Sequence, residues 1–299
     1  MSVVPIPAKT LMIQQRQPLK WFGVHYTVNL YRGCQHRCVY CDSRSQRYEI
    51  EHFDTVLEYK ENAHALLKEE LVRKRFKRVV GTGSMGDPYT PAEDVLKLTR
   101  GMLELLHTHR WPVHIMTKSD LLTRDLDLIG EIAAQWRPIV GASCCWTITT
   151  LDETLARIIE PGAPSPMRRM QALKAASAAG AFAGMMICPV LPFLLDKPTK
   201  IVELVRCASD HGASYVVMYP SVTLRDKQRL YFYEYIGHHF PSLPNRYQKA
   251  FGDREHCESP YSEMLYKVFA RACQERGLLY RMEDIAERIS DREEQLRWV

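Results

Sequence analysis

Three cysteines on one short segment are the clearest chemical feature of this 299-residue chain. Cys34, Cys38 and Cys41 follow a C-x3-C-x2-C spacing, and Tyr40 stands directly before the last of them. Soft thiolates suit iron–sulfur clusters or zinc. Three thiolates can bind three irons of a [4Fe–4S] cubane and leave the fourth iron open, as catalysis requires. A structural zinc would need a fourth ligand, and His36, inside the same loop, has poor geometry for that role.

The other six cysteines are unevenly spaced and the total of nine is odd, which argues against a secreted disulfide framework. The first residues lack the basic and apolar regions of a signal peptide. The uncharged stretch 175–195 contains two glycines and two prolines, so it predicts helix end, strand and loop rather than a membrane span. We therefore expect a cytoplasmic protein with no membrane partner. The net charge of +5 is compatible with nucleic acid.

Alternating strand and helix patterns must position the cysteine loop. Six strand patterns lie at residues 25–31, 78–83, 113–117, 139–147, 182–188 and 215–219. Helical patterns lie at 61–75, 91–109, 124–135, 165–179 and 199–211. The second helix begins with Thr90, Pro91 and Glu93, the pattern of a capping box. Six alternations predict an α/β fold of parallel strands, either an open sheet or a partial barrel, with functional loops after the strand carboxyl ends.

The chain changes character beyond the sixth strand pattern, where it becomes helical and aromatic. We expect an N-terminal extension over 1–24, a barrel over 25–222, and a helical region over 223–299 that packs on the barrel and closes its mouth. The densest basic run, residues 73–78, falls at a predicted helix end. Cations suit the carboxyl end of a helix dipole, so we interpret this run as a solvated last turn.

Several residues beyond the cysteines have the right position to bind a ligand. Residues 81–87 are glycine-rich and follow a strand, so their backbone can approach a ligand closely. Lys118 ends an apolar strand, where its charge calls for a carboxylate partner. Thr147 and Thr149 alternate along a strand pattern and should point to one face.

A Pro-Gly-Ala-Pro turn at residues 161–164 is flanked by Glu160 on one side and by Arg168 and Arg169 on the other. We interpret the glutamate and one of the arginines as an ion pair that braces this turn.

Five segments together resemble the radical S-adenosylmethionine (SAM) superfamily and, within it, the spore photoproduct lyase-like branch. They are YRGCQHRCVYC at 31–41, GTGSMGDPY at 81–89, TKS at 117–119 with Arg124-Asp125, TITTLD at 147–152, and EPGAP at 160–164. The resemblance implies a partial (β/α)6 TIM-type barrel. It also implies a [4Fe–4S] cluster on the three cysteines, reduced by a donor such as flavodoxin or ferredoxin.

In this superfamily the reduced cluster cleaves bound SAM to a 5′-deoxyadenosyl radical, which abstracts a hydrogen atom from the substrate. By the same resemblance, the expected SAM contacts are Tyr40, Ser84, Asp87, Lys118, Ser119, Thr147 and Thr149.

The resemblance also implies a substrate, with one departure. Spore photoproduct lyases use a cysteine near the end of the second strand to return a hydrogen atom to the repaired thymine, and residues 82–87 contain none. Either Cys257, Tyr89 or Tyr40 does so here, or this protein does not split that lesion. The residues expected to bind a phosphate or carboxylate of the substrate are Arg225, Lys227 and Arg229.

Three hypotheses follow from these residues. The first is a radical SAM enzyme acting on DNA, as in photolesion repair, and the second is a radical SAM enzyme that modifies a peptide, protein or small metabolite. The third is a non-catalytic, zinc-stabilised nucleic-acid-binding module.

Overall fold

The computed structural model describes residues 1–83 and 85–290, and twelve strands lie within those residues. In chain order they are β1 (Ser2–Ile6), β2 (Met12–Gln14), β3 (Tyr26–Val28), β4 (Tyr31–Arg32), β5 (Val56–Lys60), β6 (Val80–Thr82), β7 (Val113–Thr117), β8 (Ala142–Thr147), β9 (Phe182–Ile187), β10 (Tyr215–Met218), β11 (Ser221–Thr223) and β12 (His256–Glu258). The helices are α1 (Ala63–Arg73), α2 (Glu93–Leu96), α3 (Leu98–Thr108), α4 (Leu126–Gln135), α5 (Glu153–Ile159), α6 (Pro166–Ala178), α7 (Pro198–Asp210), α8 (Asp226–His239), α9 (Leu243–Phe251), α10 (Ser262–Glu275) and α11 (Met282–Ile289).

Six parallel strands form the main sheet in the order β10-β9-β8-β7-β6-β3, and β2 adds an antiparallel edge beside β3. These are the six strands predicted from the sequence. No strand ladder joins β10 to β2 in the part of the chain described, so the barrel is partial, as predicted. The edge of β10 is extended by the C-terminal region, because the Val216 N–H donates to the carbonyl of Leu279 at 2.9 Å.

Both faces of the central strands are covered. Every residue of β7 and β8 is buried, as expected for parallel strands enclosed by crossover helices on one side and barrel interior on the other. The interior holds an apolar cluster that includes Phe22, Met116, Cys145, Met186 and Tyr215. This packing gives the loops after the strands a rigid base.

The helix predicted over 91–109 is broken in two at Lys97, whose φ of +53° is left-handed. The Glu93 carboxylate accepts a hydrogen bond from the Thr99 N–H at 3.0 Å, so it satisfies a free donor in the first turn of α3. The predicted capping box with Thr90 is therefore wrong. Within residues 1–83 and 85–290 no helix combines the length and apolar composition needed to cross a bilayer.

The last third of the chain contributes to both ends of the barrel. Helix α11 packs against a 3-10 turn at Pro18–Lys20, and the Phe22 N–H donates to the sulfur of Met282 at 3.2 Å, near the amino ends of the strands. The β11–β12 hairpin instead follows β10 at the carboxyl ends. We expected this region to close the mouth of the barrel. The β11–β12 hairpin lies at the mouth, whereas α11 lies at the opposite end.

Gly184 on β9 tests the packing of the barrel interior. A Cβ atom there would lie 2.3 Å from the ring of Tyr215, its partner on β10. We expect Gly184→Ala to lower the free energy of unfolding, measured by urea denaturation, by about 1–3 kcal/mol through overpacking. Gly237→Ala on α8 is the control, because its Cβ would meet only Pro244 at 3.3 Å and alanine suits a helix better. Equal losses in the two variants would contradict this packing.

Candidate functional site

A cavity of about 520 Å³ opens at the carboxyl ends of the barrel strands, a volume typical of cofactor and small-molecule sites. It collects side chains from the cysteine loop and from the loops after β6, β7, β8, β9 and β10. The lining residues with the most distinctive chemistry are Cys34, Cys38, Cys41, Asp87, Lys118 and Cys188.

The three predicted cysteines meet in this cavity. Cys34 and Cys38 are buried, Cys41 is partly exposed, and all three thiols are free. Burial raises the pKa of Cys38 to about 12, and it raises the pKa of Cys34 as well, with Asp87 and the other two thiols adding to the effect. Thiolates at these positions therefore need a cation to neutralise them, which is what a metal centre supplies.

The arrangement of the thiols bears on the kind of metal. Within the described residues, no three His, Cys, Asp or Glu side chains are placed as ligands of a single ion. Three thiolates on one loop suit a cluster with one open iron, whereas a structural zinc would need a fourth ligand. His36 is turned away from a ligand role, because its two ring nitrogens lie 3.1 Å from the Gly162 carbonyl and 3.2 Å from Asp87.

Arg44 supports the cysteine loop from behind, a role that sequence analysis missed. Its side chain is buried, its Nε donates to the Cys38 carbonyl at 3.3 Å, and its guanidinium forms an ion pair with Asp54. The same guanidinium lies 4.5 Å from the ring centre of Phe53 and 3.8 Å from that of Tyr231 on α8. Two aromatic rings and a carboxylate thus hold in place the group that fixes the backbone of Cys38.

The Pro-Gly-Ala-Pro turn holds the other side of the loop. The Gly162 N–H donates to the His36 carbonyl at 2.9 Å, and the Val39 N–H donates to the Ile159 carbonyl at 2.9 Å. A Cβ atom on Gly162 would lie 2.2 Å from the carbonyl oxygen of Gln35, so only glycine allows this approach.

A buried ion pair braces that turn, as the sequence predicted. Arg169 and Glu160 are 2.6 Å apart and their side chains are 1% exposed. Arg169 also donates to the carbonyls of Pro164 at 2.8 Å and Thr147 at 3.0 Å. The other carboxylate oxygen of Glu160, which is not paired with Arg169, accepts hydrogen bonds from the hydroxyls of Tyr40 and Thr149. Tyr40, which lines the cavity, is thereby tied to the same brace.

Asp87 organises the loops after β6 and β7. Its carboxylate accepts hydrogen bonds from the Thr117 hydroxyl at 2.6 Å, the Lys118 N–H at 2.6 Å and the Tyr89 N–H at 2.9 Å. Burial alone would raise the pKa of Asp87, but His36 and the bonds from Thr117 and Lys118 lower it to about 2. The carboxylate stays ionised at neutral pH at the edge of the cavity.

Lys118 presents a positive charge to the cavity. Among the described residues its ammonium group has neither an ion pair nor a hydrogen bond, and it lies 5.7 Å from the ring centre of Tyr40. Burial alone would lower the pKa of Lys118, but the neighbouring Cys38 and Glu160 raise it above its ordinary value. A partly buried charge of this kind favours a bound anion.

The remaining predicted SAM contacts divide into two groups. Thr147 lines the cavity, whereas Ser119 and Thr149 do not. The Ser119 hydroxyl accepts from the Leu121 N–H at 3.2 Å, and that of Thr149 donates to Glu160 at 3.4 Å. Ser84 lies outside the described residues, so its role stays a prediction.

Neither Cys257 nor Tyr89 is brought to the cavity. Cys257 is 1% exposed on β12, its sulfur donates to the Arg254 carbonyl at 3.7 Å, and burial raises its pKa to about 11. Tyr89 is fully buried and its hydroxyl donates to Asp125 at 3.0 Å. Their expected role as hydrogen donors finds no support in this arrangement, which leaves Tyr40 as the one of the three candidates at the cavity.

The cations predicted to bind the substrate are occupied by the protein itself. Arg229 donates to the carbonyls of Leu224, Gly252, Asp253 and Arg254. Arg225 lies 3.6 Å from Asp42 and 3.5 Å from Glu255, and Lys227 lies 3.5 Å from the Ile50 carbonyl. These side chains fasten the start of α8 to its surroundings, and none of the three lines the cavity.

Among the cavity residues that sequence analysis missed are Trp21, Cys188, Tyr219 and His256. Cys188 directly follows β9 and is partly exposed, and it lines the cavity. Its place after a barrel strand was a usable signal, as it was for Tyr219 after β10. Trp21 and His256 come from distant parts of the chain and gave no such signal.

Comparison with known proteins agrees with the fold. The sequence pattern of the radical SAM superfamily matches residues 28–205. The chain belongs to the radical SAM superfamily. An uncharacterized protein of Mycobacterium tuberculosis is 35% identical over 246 residues, which are 80% of this chain and 71% of that relative. An uncharacterized protein of Methanocaldococcus jannaschii is 34% identical over 181 residues, 60% of this chain and 65% of its own length.

Solved structures with the same fold include spore photoproduct lyase in complex with dinucleoside spore photoproduct. Its TM-score is 0.66 at 14% identity, covering 93% of this chain and 81% of that one. The methyltransferase TsrM from Kitasatospora setae gives a TM-score of 0.58 at 11% identity, covering 91% and 57%. These likenesses confirm the radical SAM fold. Superfamily membership implies a [4Fe–4S] cluster and SAM as cofactors.

The adjacent arginines of α6 test the buried brace. We expect Arg169→Met to lower the free energy of unfolding by about 3–5 kcal/mol, because it leaves the Glu160 charge buried and unpaired. Arg168→Met is the control, since Arg168 is 67% exposed and its ion pair with Asp120 should contribute about 1 kcal/mol or less. Denaturant titration measures the free energy of unfolding of both variants. A loss in Arg169→Met no larger than that in Arg168→Met would contradict the role of the buried ion pair.

Proposed function

We propose that this protein is a radical SAM enzyme whose [4Fe–4S] cluster is held by Cys34, Cys38 and Cys41. One observation carries the proposal: three free thiols and the Lys118 ammonium, which pairs with none of the described residues, face the same cavity. When bound there, the cluster and SAM supply a reductive cleavage that yields methionine and a 5′-deoxyadenosyl radical able to abstract a substrate hydrogen. A low-potential protein such as flavodoxin or ferredoxin would supply the electron.

The chain's own residues bind and orient in this proposal. Lys118 pairs with the carboxylate of SAM, and Tyr40, held by Glu160, forms the wall beside it. Asp87 fixes the backbone at Lys118 through its 2.6 Å hydrogen bond, so the lysine approaches the cavity from a set direction. The β11–β12 hairpin covers part of the mouth and limits the access of water to a radical.

A lesion in DNA is the substrate class supported by the likeness of the fold to spore photoproduct lyase. A second candidate is a peptide or small metabolite, and one observation favours it. Arg225 and Arg229, the guanidiniums predicted to recognise phosphate, are engaged by protein groups, so the cavity offers little for a phosphate-rich ligand. Deuterium transfer from a labelled candidate into 5′-deoxyadenosine would decide between the two.

Replacement of a cluster cysteine tests the enzyme class. After anaerobic reconstitution, wild-type protein should be brown and should form 5′-deoxyadenosine from SAM and dithionite. Cys34→Ala should lose most of its iron and nearly all of that product, because a cubane needs all three protein thiolates. Cys257→Ala, which alters a buried thiol away from the cavity, should retain both. A colourless, zinc-loaded wild-type protein without product would refute the proposal and favour the nucleic-acid-binding module.

Lys118→Met tests the predicted carboxylate contact. Loss of a charge-assisted interaction should weaken SAM binding by about 1.5–3 kcal/mol, or roughly ten- to a hundredfold, in calorimetric titration of reconstituted protein. Iron content should be unchanged, because the lysine is not a cluster ligand. Lys174→Met, an exposed position on α6, should bind SAM like the wild type. Unaltered affinity in Lys118→Met would exclude this role for the lysine.

A further inference from the structure

A basic surface lies at the end of the barrel opposite the cavity. Arg78 comes two residues before β6, Tyr26 begins β3, and Arg110 comes three residues before β7. All three positions are at the amino ends of parallel strands, whereas the cavity is at the carboxyl ends. We define the basic rim as Arg16, Lys74, Arg75, Lys77, Arg78 and Arg110.

Most of the basic rim comes from one loop, which is not the solvated helix turn expected from the sequence. Helix α1 ends at Arg73, and the backbone of Lys74 is extended with ψ of 126°. Only Arg73 remains in the last turn, where it pairs with Glu69 at 3.2 Å. The helix dipole therefore does not account for the cations at residues 74–78.

The charges of the basic rim are not neutralised by neighbouring carboxylates. Among the described residues, none of its six cations lies within ion-pair distance of Asp or Glu. The two acidic residues near the end of α1 are already engaged. Glu69 pairs with Arg73, and Glu70 accepts hydrogen bonds from the N–H groups of Leu11 and Met12 at 3.0 and 2.7 Å.

Aromatic rings are interleaved with these cations. Phe76 is 40% exposed, and its ring centre lies 5.2 Å from the guanidinium of Arg75 and 6.0 Å from that of Arg78. The ammonium group of Lys74 lies 4.9 Å from the ring centre of Tyr26. A guanidinium nitrogen of Arg78 lies 3.5 Å from the His25 ring nitrogen Nε2. The His25 carbonyl accepts a hydrogen bond from the N–H of Gln15, the residue before Arg16, so the backbone of Arg16 lies near His25 as well.

We propose that the basic rim binds single-stranded nucleic acid. Unpaired cations bind the phosphates of a polyanion, and an exposed aromatic ring bordered by guanidiniums stacks on a nucleobase. Charge complementarity and the exposed Phe76 ring together favour this partner over a simple counterion. The site is separate from the cavity and does not depend on the radical chemistry proposed above.

The test uses reconstituted full-length protein and a fluorescein-labelled oligothymidylate, with binding followed by anisotropy at several salt concentrations. Arg75→Ala/Lys77→Ala should reduce the magnitude of the slope of log Kd against log salt by about 1.4, because two phosphate contacts are removed. Phe76→Ala should weaken binding on the order of tenfold with an unchanged slope, through loss of one stacked base.

The control removes two exposed cations elsewhere. Lys174→Ala/Arg206→Ala changes the net charge by the same amount on α6 and α7 and should bind the oligonucleotide with nearly the wild-type slope. If this control behaves like the rim variant, binding is a net-charge effect and the proposal fails. It also fails if the wild type binds no oligonucleotide at low salt, or if the rim is needed for anionic lipid vesicles but not for the oligonucleotide.

Formation of 5′-deoxyadenosine separates this inference from the proposed function. Arg75→Ala/Lys77→Ala and Phe76→Ala should form it at the wild-type rate with dithionite, because the rim lies at the other end of the barrel. Normal product with lost binding supports the rim as a separate site. Loss of product together with loss of binding would indicate misfolding or coupling to the cavity, and would overturn a separate site.

Discussion

The cysteine loop has almost no regular structure of its own, so its position depends on contacts with its surroundings, among them those of one buried carboxylate. The Glu160 side chain is 1% exposed and forms an ion pair with Arg169. It also accepts a hydrogen bond from the hydroxyl of Tyr40, the residue directly before Cys41. Arg169 extends the connection to the end of β8 through the Thr147 carbonyl. A charge in this position is costly unless it is fully paired, and the pairing links the barrel, the Pro-Gly-Ala-Pro turn and the loop into one unit.

The cavity inherits its charge distribution from the same arrangement. Asp87 is surrounded by donors and remains an anion, while Lys118 projects a cation that no described residue neutralises. The two charges come from the ends of neighbouring strands, β6 and β7. The sheet places these two strand ends side by side. A hydrogen bond from the Lys118 N–H to the Asp87 carboxylate then fixes the two residues relative to each other. A ligand with a carboxylate and a sulfonium, such as SAM, needs a site in which charge is arranged before binding.

The two ends of the barrel have different chemistry for a topological reason. Parallel strands place all of their carboxyl ends on one side, and the crossover connections return the chain to the other. The thiols, Asp87 and Lys118 gather at the first end, and the basic rim gathers at the second. A polymer held at the rim would not block the cavity, so the two ends can act without competing for the same surface.

Much of the fold follows from local patterns in the sequence. All six barrel strands occur where strand patterns predicted them, and in central strands such as β7 and β8 burial on both faces leaves a continuous hydrophobic signal. The cysteine spacing was equally informative, since metal ligands on one loop are close in space whatever the fold. The break at Lys97 and the helix α5 escaped prediction. The break at Lys97 depends on a hydrogen bond from the Thr99 N–H to the Glu93 carboxylate. Helix α5 is short, although the Asp152 carboxylate caps it by accepting hydrogen bonds from the N–H groups of Thr154 and Leu155.

The sequence by itself determined the chemistry available: three thiols, a lysine at a strand end, and an acidic residue before a turn. Only the tertiary structure decided which groups reach the cavity. Cys257 stands in a polar stretch and Cys188 in an apolar one, yet the first is buried on β12 and the second faces the cavity. Arg229 was equally ambiguous until its guanidinium was seen to collect four backbone carbonyls. The direction of a side chain depends on long-range packing, which spacing along the chain does not record.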